Sequence, residues 1–570
     1  MAAVGRAGSG LGYAGRPEDR GSSKPPGVNA GRPGALVHTA AAAQNPTVER
    51  RRIVLLTGAL LLLAGNLVIE ARAPMKDDVA WLIHVAQSWL DGGQPYVTEI
   101  EINPPPIIWF SAFAVWLARR LGASVAFAYP GLISVVLALV ARWVASLLAR
   151  RDVPYSADTV LFVTLVALLF IPAGEFGQRE HLIACLALPW LAWRAAPGGQ
   201  QARPNALEGF AAGLLTGACC ALKPLFVIPF LLVEVAMWRR DRRIGWPAVA
   251  GAVCSGAGLV LLSIIVHPAY FAEVLPLVLS HYGVPFDLAV LFPRGTLLLG
   301  AALAGAWSLW WWRRRELPDG NLVMDLLVFA TGAMVSYFLQ GRGWVYHRIP
   351  ATVATVLALC LLFTVLPRGF VARGAVAAIL LALAGQAGGR LVPRVSIASG
   401  LVPADAHQIA AIARAHGATS LMAFSGTLGR GFPVVELSRT RWSSRFASMW
   451  AVRSELLAEQ AQGGVEGPSI ARRLVVDDFL AACPDIVVTD HDDGLDYPAA
   501  LSRFDPAFAR AWAGYRPITG PPRGVEMFLR PADAPPCEAA DHDAPAAVAT
   551  ATGRGAAPDR PPPRATFRPH

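Results

Sequence analysis

This sequence predicts a polytopic α-helical membrane protein with a small C-terminal extracytoplasmic α/β domain, and three observations lead there. Of the 570 residues, 54% are hydrophobic and only 16% are charged, too apolar a balance for a chain whose whole surface faces water. Apolar runs of roughly 16 to 25 residues recur from residue 53 to about residue 383, and a bilayer core of about 30 Å takes roughly 20 helical residues to cross. Beyond residue 395 the apolar runs shorten, charge rises, and strand-like pieces at 420–425, 434–438, 485–490 and 525–530 alternate with helix-like ones.

Taken in order, residues 1–48 are rich in Gly, Ala, Pro and Arg with little periodic hydrophobicity, which predicts a disordered cytoplasmic leader. The first apolar run follows this polar leader and lacks a small-residue cleavage site after it, so it reads as an anchor and not as a cleaved signal. Loops rich in Lys and Arg stay in the cytoplasm. Arg50, Arg51 and Arg52 therefore place the N-terminus inside, as do the later clusters at Arg150 with Arg151, Arg194 with Arg203, Arg239 to Arg243, Arg313 to Arg315, and Arg368 with Arg373. The segment 104–117 is short for a span and ends in Arg119 and Arg120. Counted as a crossing, it would put every later Arg cluster outside, so it reads as an interfacial or partly inserted helix. The transmembrane domain then occupies residues 49–392 with about eleven spans. The odd count puts the α/β domain of residues 395–532 outside the cytoplasm. Residues 533–570 read as a disordered tail. The chain belongs in the cell (inner) membrane as a multi-pass protein.

The formal charge of +10 does not point to nucleic acid, because the Arg residues fall in short clusters between apolar runs and form no single basic face. Five of the seven cysteines, Cys185, Cys219, Cys220, Cys254 and Cys360, lie inside apolar segments without metal-ligand spacing and read as small buried hydrophobes. Cys483 and Cys537 stand apart and are able to pair if their region is extracytoplasmic.

The polar motifs collect on one side. The first outer loop reads Lys76-Asp77-Asp78-Val-Ala-Trp-Leu-Ile-His84, then Gly92-Gly-Gln-Pro95-Tyr96-Val-Thr-Glu99-Ile-Glu101-Ile-Asn103-Pro104-Pro105-Pro106. A carboxylate at the membrane surface beside aromatic groups is made more basic by partial desolvation and is able to take a proton from a hydroxyl. Asp77 and Asp78 are the candidate bases. The other reading is that they N-cap the amphipathic stretch 79–90 and do no chemistry.

An acidic pair soon after the first span, followed by Gly-x-Pro-Tyr and an acidic-x-Asn-Pro-Pro stretch, resembles the membrane glycosyltransferases of the GT-C superfamily, which include protein mannosyltransferases and aminoarabinose transferases. Asp77, Asp78, Pro95, Tyr96, Glu101, Asn103, Pro104 and Pro105 fill that pattern. The resemblance spans residues 53 to about 390, most clearly in the first third. It implies a GT-C-like membrane domain, a catalytic role for Asp77 or Asp78 with Glu101 beside them, substrate contacts from Tyr96 and Asn103, and a polyprenyl-phosphate-sugar donor.

The second outer loop, Glu175-Phe-Gly-Gln178-Arg179-Glu180-His181, packs two carboxylates, a guanidinium and an imidazole between two spans. Charges so close to lipid are costly unless they line a wet cavity or pair with one another. In the resembled superfamily the matching loop adds an acidic residue to the catalytic cavity, sometimes through a divalent metal ion. That makes Glu180 a catalytic candidate and Gln178, Arg179 and His181 substrate contacts, and makes a divalent metal the one cofactor in view. An Arg179–Glu175 ion pair that only stabilises the loop is the alternative.

Lys223, after the small-residue run 211–221, and Arg342, Tyr346 and His347 in Gln340-Gly-Arg342-Gly-Trp344-Val-Tyr346-His347-Arg348 offer fixed positive charge and aromatic rings. A lipid phosphate leaving group needs such cations. Ordinary anchoring in the headgroup zone explains them otherwise. His267, Tyr270, His281 and Asp287 stand in the next long outer loop, which is placed to cover the site.

In the α/β domain, Gly426-x-x-Gly429-x-Gly431 is followed by a strand-like run and not by a helix, so it is discounted as a phosphate loop. Asp490-His491-Asp492-Asp493 has metal-capable side chains in a loop. Arg439, Arg441, Trp442 and Arg445 suit either acceptor contact or a solvated basic face. The sequence thus points to an inverting glycosyltransferase working on a polyprenyl-phosphate donor and an unknown glycan, lipid or protein acceptor at the bilayer, with no nucleic acid. A transporter or flippase of a lipid-linked saccharide is the rival, and a non-catalytic scaffold the third reading. Transporters gather ionisable groups near the midplane in repeated halves, whereas here the charges lie at loop ends and no repeat is evident.

Overall fold

The structure is a computed structural model that describes residues 46–150, 156–195, 205–282, 288–317, 320–366, 370–461, 469–534 and 537. Most of the expected leader and tail, together with Arg151, Arg203, Asp287 and Arg368, lies outside the described residues. The first helix starts at Pro46, within the stretch expected to be leader, and runs to Arg72. Among the described residues six helices are long and apolar enough to cross a membrane: Pro46–Arg72, Val125–Ala149, Trp246–Val266, Asn321–Gln340, Val345–Thr364 and Val371–Ala398. Two shorter apolar ones, Ala157–Phe170 and Ala206–Leu222, lie between them. About eleven spans were expected, but several intervening helices are short or interrupted beside proline, as at Arg179–Leu186 with Leu188–Arg194 and at Val227–Asp241.

Residues 104–117 belong to the helix Pro105–Leu121, whose first position holds a proline with φ already suited to a helix and whose end is Gly122 in the left-handed region at φ 61°. It packs beside the helix Asp77–Leu90, and Arg119 Nη1 closes the pair with an ion pair to Asp91 Oδ1 at 2.9 Å. The two helices bury apolar faces including Trp81, Ile83, Ile107 and Val115.

Small residues let the spanning helices approach closely. A side chain at Gly213 would collide with the Ala248 carbonyl of the facing helix, and one at Gly251 with the Phe210 carbonyl. Several charges inside the bundle are paired, as the lack of other partners in lipid favours. Arg394 Nε lies 3.0 Å from both Glu70 oxygens, joining the first spanning helix to the last. At the opposite helix ends Arg240 meets Asp325 at 3.2 Å and Arg194 meets Glu234 at 3.2 Å.

The C-terminal region forms a five-stranded sheet in the order β2-β1-β3-β5-β4. β1 (Ser420–Phe424), β2 (Arg441–Trp442) and β3 (Ile486–Asp490) run parallel, while β4 (Arg516–Ile518) and β5 (Val525–Leu529) close one edge antiparallel. β1 and β3 are buried throughout, as parallel strands covered by helices on both faces are. The strand expected at 434–438 is instead the short helix Val434–Ser438, and β2 and β4 went unread. Cys483 and Cys537 form a disulfide with 5.7 Å between their Cα atoms, which ties residue 537 back to the end of the helix Ile470–Ala482.

The sheet domain sits directly on the loop and helix that follow the first long helix. The Ile100 N–H donates to the Arg445 carbonyl at 2.7 Å, and the Phe432 ring stands 5.0 Å from Trp81 and 5.3 Å from His84.

Candidate active site

Asp77 and Asp78 occupy the first turn of the helix Asp77–Leu90, where carboxylates suit the positive end of the helix dipole. Neither caps the helix. The N-cap residue is Lys76, and the Asp77 carboxylate accepts from its neighbour's amide, Asp78 N–H, at 2.9 Å. The two side chains face different partners. Lys76 pairs with Asp77 at 3.2 Å and with Glu175 at 3.7 Å, so the loop lysine, not Arg179, turns to Glu175. Asp78 Oδ2 accepts from Gln178 Nε2 at 2.9 Å. Desolvation, reinforced by the adjacent Asp77 charge, pushes the Asp78 carboxyl up to about 6, with Gln178, Arg179 and Lys76 pulling the other way.

Gln178 is presented by a shaped turn. Gly177 has φ +80°, and a side chain there would strike the Tyr129 ring. Its carbonyl accepts from Tyr129 Oη at 2.8 Å, and its N–H donates to His181 Nδ1 at 3.1 Å. His181 thus holds the turn through Nδ1. Arg179 is buried within electrostatic reach of Glu180, Tyr346, Asp78 and Glu101.

Glu101 is 1% exposed. Its Oε1 accepts from Asn103 N–H at 2.6 Å, and the Trp81 indole also donates to it. Burial raises its carboxyl to about 7 despite those donors. Tyr96, at the strained φ of 73°, donates through its hydroxyl to the Asn103 carbonyl at 2.7 Å and thereby folds the Pro-rich stretch back over the helix. Tyr96 and Asn103 shape this loop around Glu101.

Glu180 is buried and bonded to the Lys223 ammonium, with His347 Nε2 at 3.6 Å. Lys223 stands 5.9 Å below the Tyr346 ring. Three separated sequence segments thus meet at one end of the bundle: the start of Arg179–Leu186, the end of Ala206–Leu222 and the turn Val345–Arg348. The Lys223 charge is balanced locally by Glu180. Arg342 differs, since its partners are the Tyr282 carbonyl, the Tyr282 ring at 3.9 Å and the Trp344 ring at 5.6 Å. Among the described residues no carboxylate pairs with it, which leaves a cation in an aromatic frame.

The divalent-metal option finds no ligand set. Among the described residues no three His, Cys, Asp or Glu side chains gather to hold an ion, and Glu180 is already engaged by Lys223. Asp490 is bound by Arg430 and Ser425, and Asp493 by Tyr497 and Arg453.

In the segment after the helix Trp246–Val266, Tyr270 packs 4.9 Å from Tyr96. His267 accepts from Trp109 Nε1 at 3.0 Å amid the rings of Trp89 and Tyr96, and His281 meets Glu455 of the sheet domain at 3.5 Å. Arg445 is clasped by Asp478 at 2.8 Å, and Trp442 is buried against Phe432 at 4.9 Å. Both are structural. Arg439 and Arg441 are exposed. Sequence reasoning missed Tyr129, Tyr282 and Phe432. Their only signal was aromatic character, which nothing in the sequence separates from core packing.

No family model matches the chain, and no curated protein matches its sequence. Among solved structures, the crystal structure of ArnT from Cupriavidus metallidurans bound to undecaprenyl phosphate superposes with a TM-score of 0.52 at 14% identity, covering 84% of this chain and 98% of that one. At that identity the likeness is one of fold, and it shows that this chain shares the polytopic fold of that structure over most of its length.

Proposed function

We propose that this protein is an inverting glycosyltransferase that moves a sugar from a polyprenyl-phosphate donor onto an extracytoplasmic acceptor, with Asp78 as the base. The observation that carries the reading is the convergence of Asp78, Glu101, Arg179, Glu180, Lys223 and Tyr346 at one end of the helix bundle, with Arg342 beside them and paired with no carboxylate among the described residues. That end lies away from the Arg-rich helix ends, which supports placing it, and the sheet domain, on the extracytoplasmic side. The fold shared with a structure bound to undecaprenyl phosphate supports the donor class.

The acceptor hydroxyl loses its proton to the Asp78 carboxylate while its oxygen bonds to the anomeric carbon, and the bond from that carbon to the phosphate oxygen breaks. The departing polyprenyl phosphate carries the electron pair. Arg342 is the donor-phosphate cation, because among the described residues its charge is not spent on a carboxylate. Arg179, fixed between Asp78, Glu101 and Glu180, keeps the acidic groups from repelling the phosphate. Tyr346 and His347 complete the wall beside Lys223.

The test is sugar release from radiolabelled polyprenyl-phosphate donors in membranes holding wild type, Asp77→Asn or Asp78→Asn at matched expression. Turnover should fall at least a hundredfold in Asp78→Asn with donor binding retained, and much less in Asp77→Asn. If the wild type binds or moves the lipid without cleaving it, the protein is a transporter.

A further inference from the structure

The sheet domain contacts the candidate site through one particular edge. β1 is flanked by β2 on one side and β3 on the other, all parallel, so the strand order reverses at β1. In open α/β sheets the crevice beyond the carboxyl ends of the strands at such a reversal is where ligands bind. Here that crevice is bounded by the loop 425–432 after β1 and the loop 491–496 after β3. The first of these loops is the segment that reaches the catalytic helix. Phe432 packs on Trp81 and His84, one and two turns after the aspartate pair, and a side chain added at Gly429 would sit 3.8 Å from Asp77 Oδ2.

The crevice has a definite electrostatic character. Arg430 is held by Asp490 at 2.7 Å, Asp492 at 2.8 Å and Asp405 at 3.3 Å, so three carboxylates surround one guanidinium, with Asp77 adjoining. Asp490 is buried, and among the described residues its Oδ1 has no hydrogen-bond partner, although Oδ2 is shared by Ser425 and Arg430. A buried acceptor left unmatched at the end of β3 is suited to a donor hydroxyl. Thr427 is exposed at the lip of the loop, and Asp492 is half exposed.

We propose that the loop 425–432 of the sheet domain, with Asp490 and Asp492, forms the acceptor side of the catalytic cavity and takes a neutral, hydroxyl-rich glycan end. The excess of carboxylates disfavours a phosphate or carboxylate on the acceptor and supplies acceptor atoms for sugar hydroxyls. Phe432 is a positioning residue in this arrangement. It sets the helix Asp77–Leu90 against the loop, so that a bound hydroxyl is delivered to the aspartate pair. The inference rests on the glycosyltransferase reading and names the acceptor class of that same site.

The experiment uses the full-length protein in membranes with a radiolabelled polyprenyl-phosphate sugar. Acceptor probes are oligosaccharides released from the envelope of the source cells and split by anion exchange into a neutral and an anionic fraction. Wild type should label the neutral fraction. Thr427→Trp, which blocks the lip from an exposed position, should raise the acceptor KM at least tenfold with a smaller change in kcat. Asp492→Asn should raise it severalfold, and Arg510→Ala, on the exposed face of the helix Pro506–Trp512, should leave both constants unchanged. Labelling confined to the anionic fraction, or an unchanged KM in Thr427→Trp, overturns the proposal. Donor cleavage by wild type with neither fraction labelled also overturns it while sparing the glycosyltransferase reading. Absence of donor cleavage sinks both.

Discussion

At the scale of single residues, the two raised carboxyls separate the candidate bases by pH. With Asp78 near 6 and ionised when active, kcat/KM should rise with pH along a limb of apparent pKa about 6. A limb near 7 would point to Glu101 instead. Gln178 donates to the charged form of Asp78, so Gln178→Leu should move that limb to higher pH as well as lower the rate. A pH–rate profile of the variant that coincides with wild type removes Gln178 from this role.

Glu101 yields a stability prediction of definite sign. Its folded carboxyl holds a proton up to about 7, well above the ordinary glutamate value of 4.5. Between those pH values the folded state binds a proton that the unfolded chain has released, so stability falls as pH rises through the window and is level above it. The isosteric Glu101→Gln removes a penalty of roughly 2 to 3 kcal/mol at pH 8. The variant should melt higher than wild type at pH 8 and about equally at pH 4, as followed by thermal unfolding. Equal melting at both pH values would show that Glu101 is not held protonated by burial.

At the scale of elements, the turn 175–178 depends on one glycine. Its left-handed φ and the Tyr129 ring leave no room for a Cβ at Gly177. Gly177→Ala should therefore shift Gln178 and Arg179 away from Asp78 and lower kcat about tenfold or more, with the protein still inserted and folded by gel filtration in detergent. Unaltered kcat would mean that the turn does not set the site. The misread run 434–438 shows where local pattern fails. Val434, Val435 and Leu437 favour a strand locally, but β1 and β2 are parallel neighbours and their connection must cross over the sheet. A helical turn after Pro433 makes that crossing.

At the scale of the molecule, the disulfide offers a check on which compartment holds the sheet domain. Titration of the denatured, unreduced protein purified from its own membrane should find the five free thiols, and all seven cysteines after reduction. Seven thiols before reduction would place the domain in a reducing compartment and reverse the proposed orientation.

Apolar run length, the Arg clusters and the aspartate pair with Tyr96, Glu101 and Asn103 were enough to predict the helical membrane framework and the loops from which the site is drawn. These features are local in sequence, because the bilayer imposes length and composition on each span separately. Which of the two aspartates turns inward was decided only in three dimensions. Asp78 meets Gln178 across a hundred residues of chain, and Asp77 meets Lys76. The same holds for Lys223, whose charge is matched by Glu180, for Arg342, which is left with aromatic rings and a backbone carbonyl, and for the β1 loop set beside Asp77. A side chain's residual charge and direction depend on what packs against it from distant segments, and no local pattern encodes that.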